Sequence, residues 1–180
     1  METAKLNKAY FGNHILNIII GIVGLILFII GTLMPGTYEQ KYYFLYGAIL
    51  LTISSFLEKN SFFTVLETII VIDAVISFLG LSAVITSIIT FIIIIITIIC
   101  FAAKGEFKEK YLIAGTIGLI FLGLGVGINN PIFYTIGGFF VALYSLMSIF
   151  KGFQIAYLFL ILNIIFTITS AIGAYEWLVK

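Results

Sequence analysis

The sequence predicts an all-α, polytopic membrane protein with seven transmembrane helices. Three observations carry this. Of 180 residues 62% are hydrophobic and only 9% are charged. The mean hydropathy is +1.26. The apolar residues also fall into seven stretches, each near the roughly 20 residues that a hydrocarbon core about 30 Å thick requires. Seven such spans with short loops use up the chain, so no soluble domain is expected. Continuous apolar runs of this length do not fit alternating barrel strands, and only a helix satisfies its own backbone in hydrocarbon.

The first helix is expected over Asn17 to Met34. Two lysines precede it, as in a signal peptide, but a full span follows with no small-residue cleavage site, which makes it a retained helix. The others are expected at about 42–57, 62–80, 82–103, 111–128, 132–150 and 153–175. Pro35 to Lys41, Glu58 to Ser61, Gly80 to Ser82, Lys104 to Lys110, Asn129 to Pro131 and Lys151-Gly152 separate them. Tyr42, Tyr43, Tyr46, Tyr111, Tyr134, Tyr175 and Trp177 fall near helix ends, where aromatic side chains sit at the headgroup level.

Lysine placement sets the orientation. With seven spans, Lys5, Lys8, Lys59, Lys104, Lys108, Lys110 and Lys151 share one side, while Lys41 and Lys180 occupy the other. The positive-inside rule then predicts a cytoplasmic amino terminus and an external carboxyl terminus in a cell (plasma or inner) membrane.

The chain also repeats itself. Gly21, Gly24 and Gly31 match Gly115, Gly118 and Gly125, and Pro35 and Pro131 follow at similar distances. Carried forward, Gly47 matches Gly137, Ser55 matches Ser145, Phe63 matches Phe153 and Asp73 matches Asn163. The expectation is a single membrane domain made of two parallel three-helix units, 1–80 and 105–180, joined by a linker helix over 81–104. The linker carries no charged residue between Ser82 and Ala103 and reads as a lipid-contact helix.

Candidate site residues are the polar groups inside spans. Asp73 lies roughly 16 Å into the third helix, near the midplane, where an ionised carboxylate costs about 3 kcal/mol and must face the bundle interior. Asn163, about 15 Å into the seventh helix, is at matching depth and is expected to face it. Glu67, about 8 Å from the start of its helix, is expected to snorkel to the interface. Ser77 follows Asp73 by one turn, Tyr144 and Ser145 lie near mid-depth, and Thr167, Thr169 and Ser170 continue the polar side of the last helix. Together they could line a small polar cavity with an aromatic wall. The competing reading makes the same groups interhelical hydrogen-bonding contacts. The glycines are expected to permit close helix contact, and His14 to be interfacial.

Several classes are disfavoured. A single cysteine, Cys100, excludes disulfide frameworks and thiolate metal clusters. Nine lysines without arginine, against eight acidic residues, give a net charge of +1 and no basic block, so no nucleic-acid partner is expected. No HExxH, no nucleophile beside a histidine, no phosphate-cradling loop and no ligand cluster is present, so neither catalysis nor a cofactor or metal is expected.

Asn130-Pro131-Ile132-Phe133, Tyr144, Lys151-Gly152, Tyr157 and the ending Gly173-Ala174-Tyr175-Glu176-Trp177 resemble the last three helices of the Pnu-type vitamin transporters. Those share a three-one-three helix plan with the SWEET-like facilitators, in which asparagines of the third and seventh helices line the substrate site. Asp73 and Asn163 occupy the corresponding places. The resemblance implies a facilitator-like transporter that moves a small polar solute between two rocking units, with Asp73, Asn163, Ser77, Tyr144 and Glu67 as substrate-binding candidates. A second resemblance, of the glycine-rich hairpins Gly31 to Gly47 and Gly125 to Gly138, is to HdeD-type membrane proteins. It implies a stress protein without transport, and an accessory subunit of a larger membrane complex is the third alternative. Partners on these readings are the lipid bilayer, a small polar solute, and further copies of the chain or other subunits.

Overall fold

The computed structural model describes residues 2–34, 38–128 and 130–179, with the side chains of 2–14, 32, 83, 126–128 and 176–177 left out of the description. The expectations placed on Pro35, Asn129 and Lys180, and on the side chains of Lys5, Lys8, His14 and Trp177, lie outside the described residues.

Seven α-helices and one short 3₁₀ turn make up the described chain, with no strand among the described residues. They are α1 (Glu2–Thr32), α2 (Tyr38–Leu57), α3 (Ser61–Phe78), α4 (Ala83–Ala103), the 3₁₀ turn Glu106–Lys108, α5 (Tyr111–Ile128), α6 (Pro131–Phe150) and α7 (Ile155–Val179). Local chemistry fixes the breaks. Asn60 accepts from the Phe63 backbone N–H at 3.1 Å and starts α3. Ser82 does the same for α4 through Ile85, and Asn130 caps α6 through Ile132, with Pro131 in the first turn.

The difference from the sequence reading lies in α1. It begins at Glu2, about 15 residues before the expected span, and its 31 residues extend about 46 Å, well past a hydrocarbon thickness. The reason is local: no proline interrupts the polar segment, so helix propagates through it.

Four helices, with spans at Ser61–Phe78, Val84–Ala103, Pro131–Phe150 and Ile155–Tyr175, are long and apolar enough to cross a membrane. Ile15–Gly31 of α1 and Tyr111–Gly125 of α5 are shorter apolar stretches. Each helix packs on the next, and α7 returns to α1, so the seven make a closed ring. Inside it α3 also touches α5.

Since lipid is as apolar as leucine, burying apolar surface does not by itself drive helices together in a bilayer; close packing does. Two hairpins have it. A Cβ added at Gly24 of α1 would meet Gly47 O of α2 at 3.0 Å, and one added at Gly118 of α5 would meet Gly137 O of α6 at 3.0 Å. Backbones approach this closely only because both partners lack a side chain.

The turns fall at two ends. At one, Ser61 donates to Glu106 at 3.1 Å, Lys151 donates to Glu109 at 3.0 Å, and Asn17 donates to Glu58 at 2.9 Å. This end carries Lys59, Lys104, Lys108, Lys110 and Lys151 and is called the lysine end. At the other, the tyrosine end, Lys41 donates to the Ser77 carbonyl at 2.9 Å and lies over the rings of Tyr38 and Phe78.

Candidate functional site

Asp73 is the thirteenth residue of the eighteen in α3. At 1.5 Å per residue it sits about 8 Å from the tyrosine end of the helix, nearer that end than the expected midplane. The side chain is 2% exposed. Its Oδ1 accepts a short hydrogen bond from the Thr90 hydroxyl of α4, and its Oδ2 has no hydrogen-bond partner. A Cβ at Gly123 of α5 would lie 3.0 Å from Thr90 Cγ2 and 2.5 Å from Ile94 Cδ1, so α5 closes directly over this stretch of α4. The carboxyl group is therefore buried against α4 and has one oxygen left over.

Thr90 was not among the candidates from sequence. Helix α4 reads as a lipid-facing linker, and one face is exposed and apolar, with Ile88, Ile92, Ile95, Ile96 and Ile99 on it. The opposite face, Thr86, Thr90, Ile94 and Phe101, is buried. The four-residue spacing of Thr86, Thr90 and Ile94 was the available signal, since it places them on one side of a helix.

Ser77 donates to the Ala74 carbonyl of its own helix at 2.6 Å, and its own carbonyl accepts from Lys41. Asn163 is 4% exposed and donates to Phe159 O at 2.8 Å. The hydrogen bond of Asp73 thus runs to α4 and that of Asn163 to its own helix; neither is made to the other. Of the further α7 residues, Thr169 also bonds to its own helix, while Thr167 Oγ1 is buried without a partner.

Glu67 corrects the expectation of an interfacial carboxylate. It is 1% exposed, with Oε2 unpartnered, about 9 Å along α3 from Asp73 toward the lysine end. Between it and the lysine end, the preceding turn of α3 carries Phe62 and Phe63, both fully buried. Phe63 stacks on Phe159 of α7 with centroids 4.0 Å apart and planes 2° apart. Phe62 lies 4.0 Å from Tyr144 of α6 and 6.4 Å from Phe101 of α4. Rings from four helices thereby form one layer across the ring of helices.

Tyr144 belongs to this layer and also lines a cleft of about 140 Å³ at the lysine end. Lys59, Asn60, Glu106, Glu109 and Tyr111 line its other walls. On its rim, the Glu109 carboxylate hydrogen-bonds the Lys151 ammonium and holds it above the ordinary lysine range. The five candidates are thus distributed along the bundle: Tyr144 at the cleft floor, Glu67 beneath the rings, Asn163 in α7, and Asp73 and Ser77 toward the tyrosine end. Among the described residues no cluster of three or more histidine, cysteine or carboxylate side chains forms a metal site. Comparison with protein-family models, curated proteins and solved structures finds no match to this chain.

Proposed function

We propose that the protein is a membrane transporter of the facilitator kind, moving a small polar solute between two three-helix units that span the bilayer with α4 between them. The observation that carries the reading is Asp73: a carboxyl group 2% exposed, inside a bundle with an apolar exterior, holding one bonded and one unpartnered oxygen. Intramembrane carboxylates are costly, and those that persist mark substrate or ion pathways.

The two-unit arrangement is supported by matched contacts. Beside the Gly24–Gly47 and Gly118–Gly137 pairs, Gly31 packs on Phe44 and Tyr43 as Gly125 packs on Tyr134 and Phe133. Ser55 donates to Leu51 O and Ser145 to Val141 O. Gly21 meets Ser54 and the start of α7, while Gly115 meets Tyr144 and the start of α3. Each first helix thus leans on its own second helix and on the third helix of the other unit, which is the seam at which two units would rock. The ring layer of Phe62, Phe63, Tyr144 and Phe159 closes the path between the lysine-end cleft and the buried carboxyl groups. In this reading all seven helices cross the membrane, and the lysine end is cytoplasmic.

The test is flux into proteoliposomes of a panel of sugars, vitamins, amino acids, amines and cations. Asp73→Asn should abolish flux of whichever solute the wild type carries. Unchanged flux in the variant would remove the carboxylate from the pathway, and no flux of any solute in the wild type would overturn the transport reading.

A further inference from the structure

All three turns at the lysine end contribute to the walls of the cleft of about 140 Å³. Lys59 comes from the α2–α3 turn, Glu106 and Glu109 from the segment before α5, and Phe153 from the α6–α7 turn. The rings of Tyr111 and Tyr144, with centroids 5.5 Å apart, lie at its base. Its volume is close to the ~150 Å³ of an engineered protein cavity that admits benzene, so it suits a ligand of about six to eight non-hydrogen atoms.

Lys59 is held there by an unusual backbone. Wherever else the described chain takes a positive φ it uses glycine, at Gly80, Gly105 and Gly152. The turns after α2 and α6 share one hydrogen-bond pattern. Lys59 N–H donates to Phe56 O and Asn60 N–H to Ser55 O, as Gly152 N–H donates to Ile149 O and Phe153 N–H to Ser148 O. At the matching position one turn has Gly152 at φ 88° and the other has Lys59 at φ 56°. A side chain is strained in this region, and strain kept where glycine would serve points to a use for the side chain. That side chain lines the cleft.

The charges facing the cleft are of both signs. Glu109 is neutralised by the Lys151 ammonium at 3.0 Å. Glu106 is half-buried, and its Oε2 accepts from the Ser61 hydroxyl at 3.1 Å, which fixes the carboxylate without cancelling its charge. One ammonium, from Lys59, and one carboxylate, from Glu106, are left to face the cleft.

We propose that the lysine-end cleft binds a small zwitterion, an α-amino acid whose carboxylate is taken by Lys59 and whose ammonium is taken by Glu106. A ligand with a carboxylate alone would bring its charge against Glu106, and one with an ammonium alone would bring its charge against Lys59. An uncharged apolar ligand would strip water from both charges without replacing it. An α-amino acid answers both with charge-assisted hydrogen bonds and lays a small side chain on the rings of Tyr111 and Tyr144. The site lies on the opposite side of the ring layer from Asp73 and does not depend on the transport reading.

The experiment measures thermal unfolding and calorimetric binding of the purified full chain in detergent. The probes are L-alanine and L-serine, with ethylammonium and propionate as controls that each carry one of the two charges, all at constant ionic strength. The amino acids should raise the unfolding temperature of the wild type and the two controls should not. Lys59→Gly and Glu106→Gln should each weaken alanine binding by about tenfold or more, while Lys59→Arg keeps it. Glycine also relieves the strain at φ 56°, so Lys59→Gly should unfold no earlier than the wild type without ligand, which separates loss of the ligand from loss of the fold. An equal shift with ethylammonium or propionate, or no shift with either amino acid, would overturn the zwitterion class. Unchanged alanine affinity in Lys59→Gly or in Glu106→Gln would overturn the roles given to the two charges.

Discussion

Thr90 decides the state of Asp73. The hydroxyl of α4 supplies the hydrogen bond that the Asp73 carboxyl group makes, and both residues are removed from solvent. Thr90→Val keeps the shape and deletes the donor, leaving a buried carboxyl oxygen without a partner, which costs about 1–3 kcal/mol. Chemical or thermal unfolding in detergent should show this loss, and Thr90→Ser should recover most of it. A neutral result would mean that the group is not desolvated as the geometry requires. Residue identity predicted the burial of Asp73 correctly, because an acid in an apolar helix must face inward. The depth argument that sent Glu67 to the interface failed. Depth along a helix measures the distance to the interface, not what lies between, and there Phe62 and Phe63 are fully buried.

Among the elements, the two hairpins α1–α2 and α5–α6 are where stability is concentrated, since their backbones touch through glycine. A Cβ at Gly118 would lie 2.8 Å from Val141 N and 3.0 Å from Gly137 O, both backbone atoms that cannot rotate away. Gly118→Ala should therefore cost about 1–3 kcal/mol as α5 and α6 are forced apart. Gly80, in the α3–α4 turn, has nothing within 4 Å of an added Cβ, so Gly80→Ala carries only the strain of φ 65°, about 1–2 kcal/mol. The two variants differ in kind: a second alanine at Gly24 should add to the effect of Gly118→Ala, because the hairpins are separate contacts. Helix α4 was legible as a continuous apolar helix but not as the element that engages Asp73. Nearly continuous isoleucine obscures a two-faced helix whose one sequence signal is the spacing of Thr86 and Thr90, and the packing of Ile94 and Thr90 under Gly123 shows the inner face.

For the whole molecule, the lysine asymmetry gives an orientation that can be measured. In a Cys100→Ser background, single cysteines at Lys108 and Ser82 report the two ends. A membrane-impermeant maleimide applied to intact cells should label Ser82→Cys and spare Lys108→Cys until the cells are opened. The reverse pattern would invert the bundle. Labelling of both from outside would remove α4 from the membrane. Composition and hydropathy alone determined that the chain is all-helical and suited to a bilayer, because a backbone in hydrocarbon has no other way to satisfy its own polar groups. They also placed most helix breaks, since the caps at Asn60, Ser82 and Asn130 act within one turn. Only the tertiary structure decided which polar residues meet. Contacts between helices depend on register: the hydrogen bond of Asp73 goes to Thr90 of α4 and that of Asn163 to Phe159 of its own helix, which side-chain geometry decides and an apolar sequence does not express.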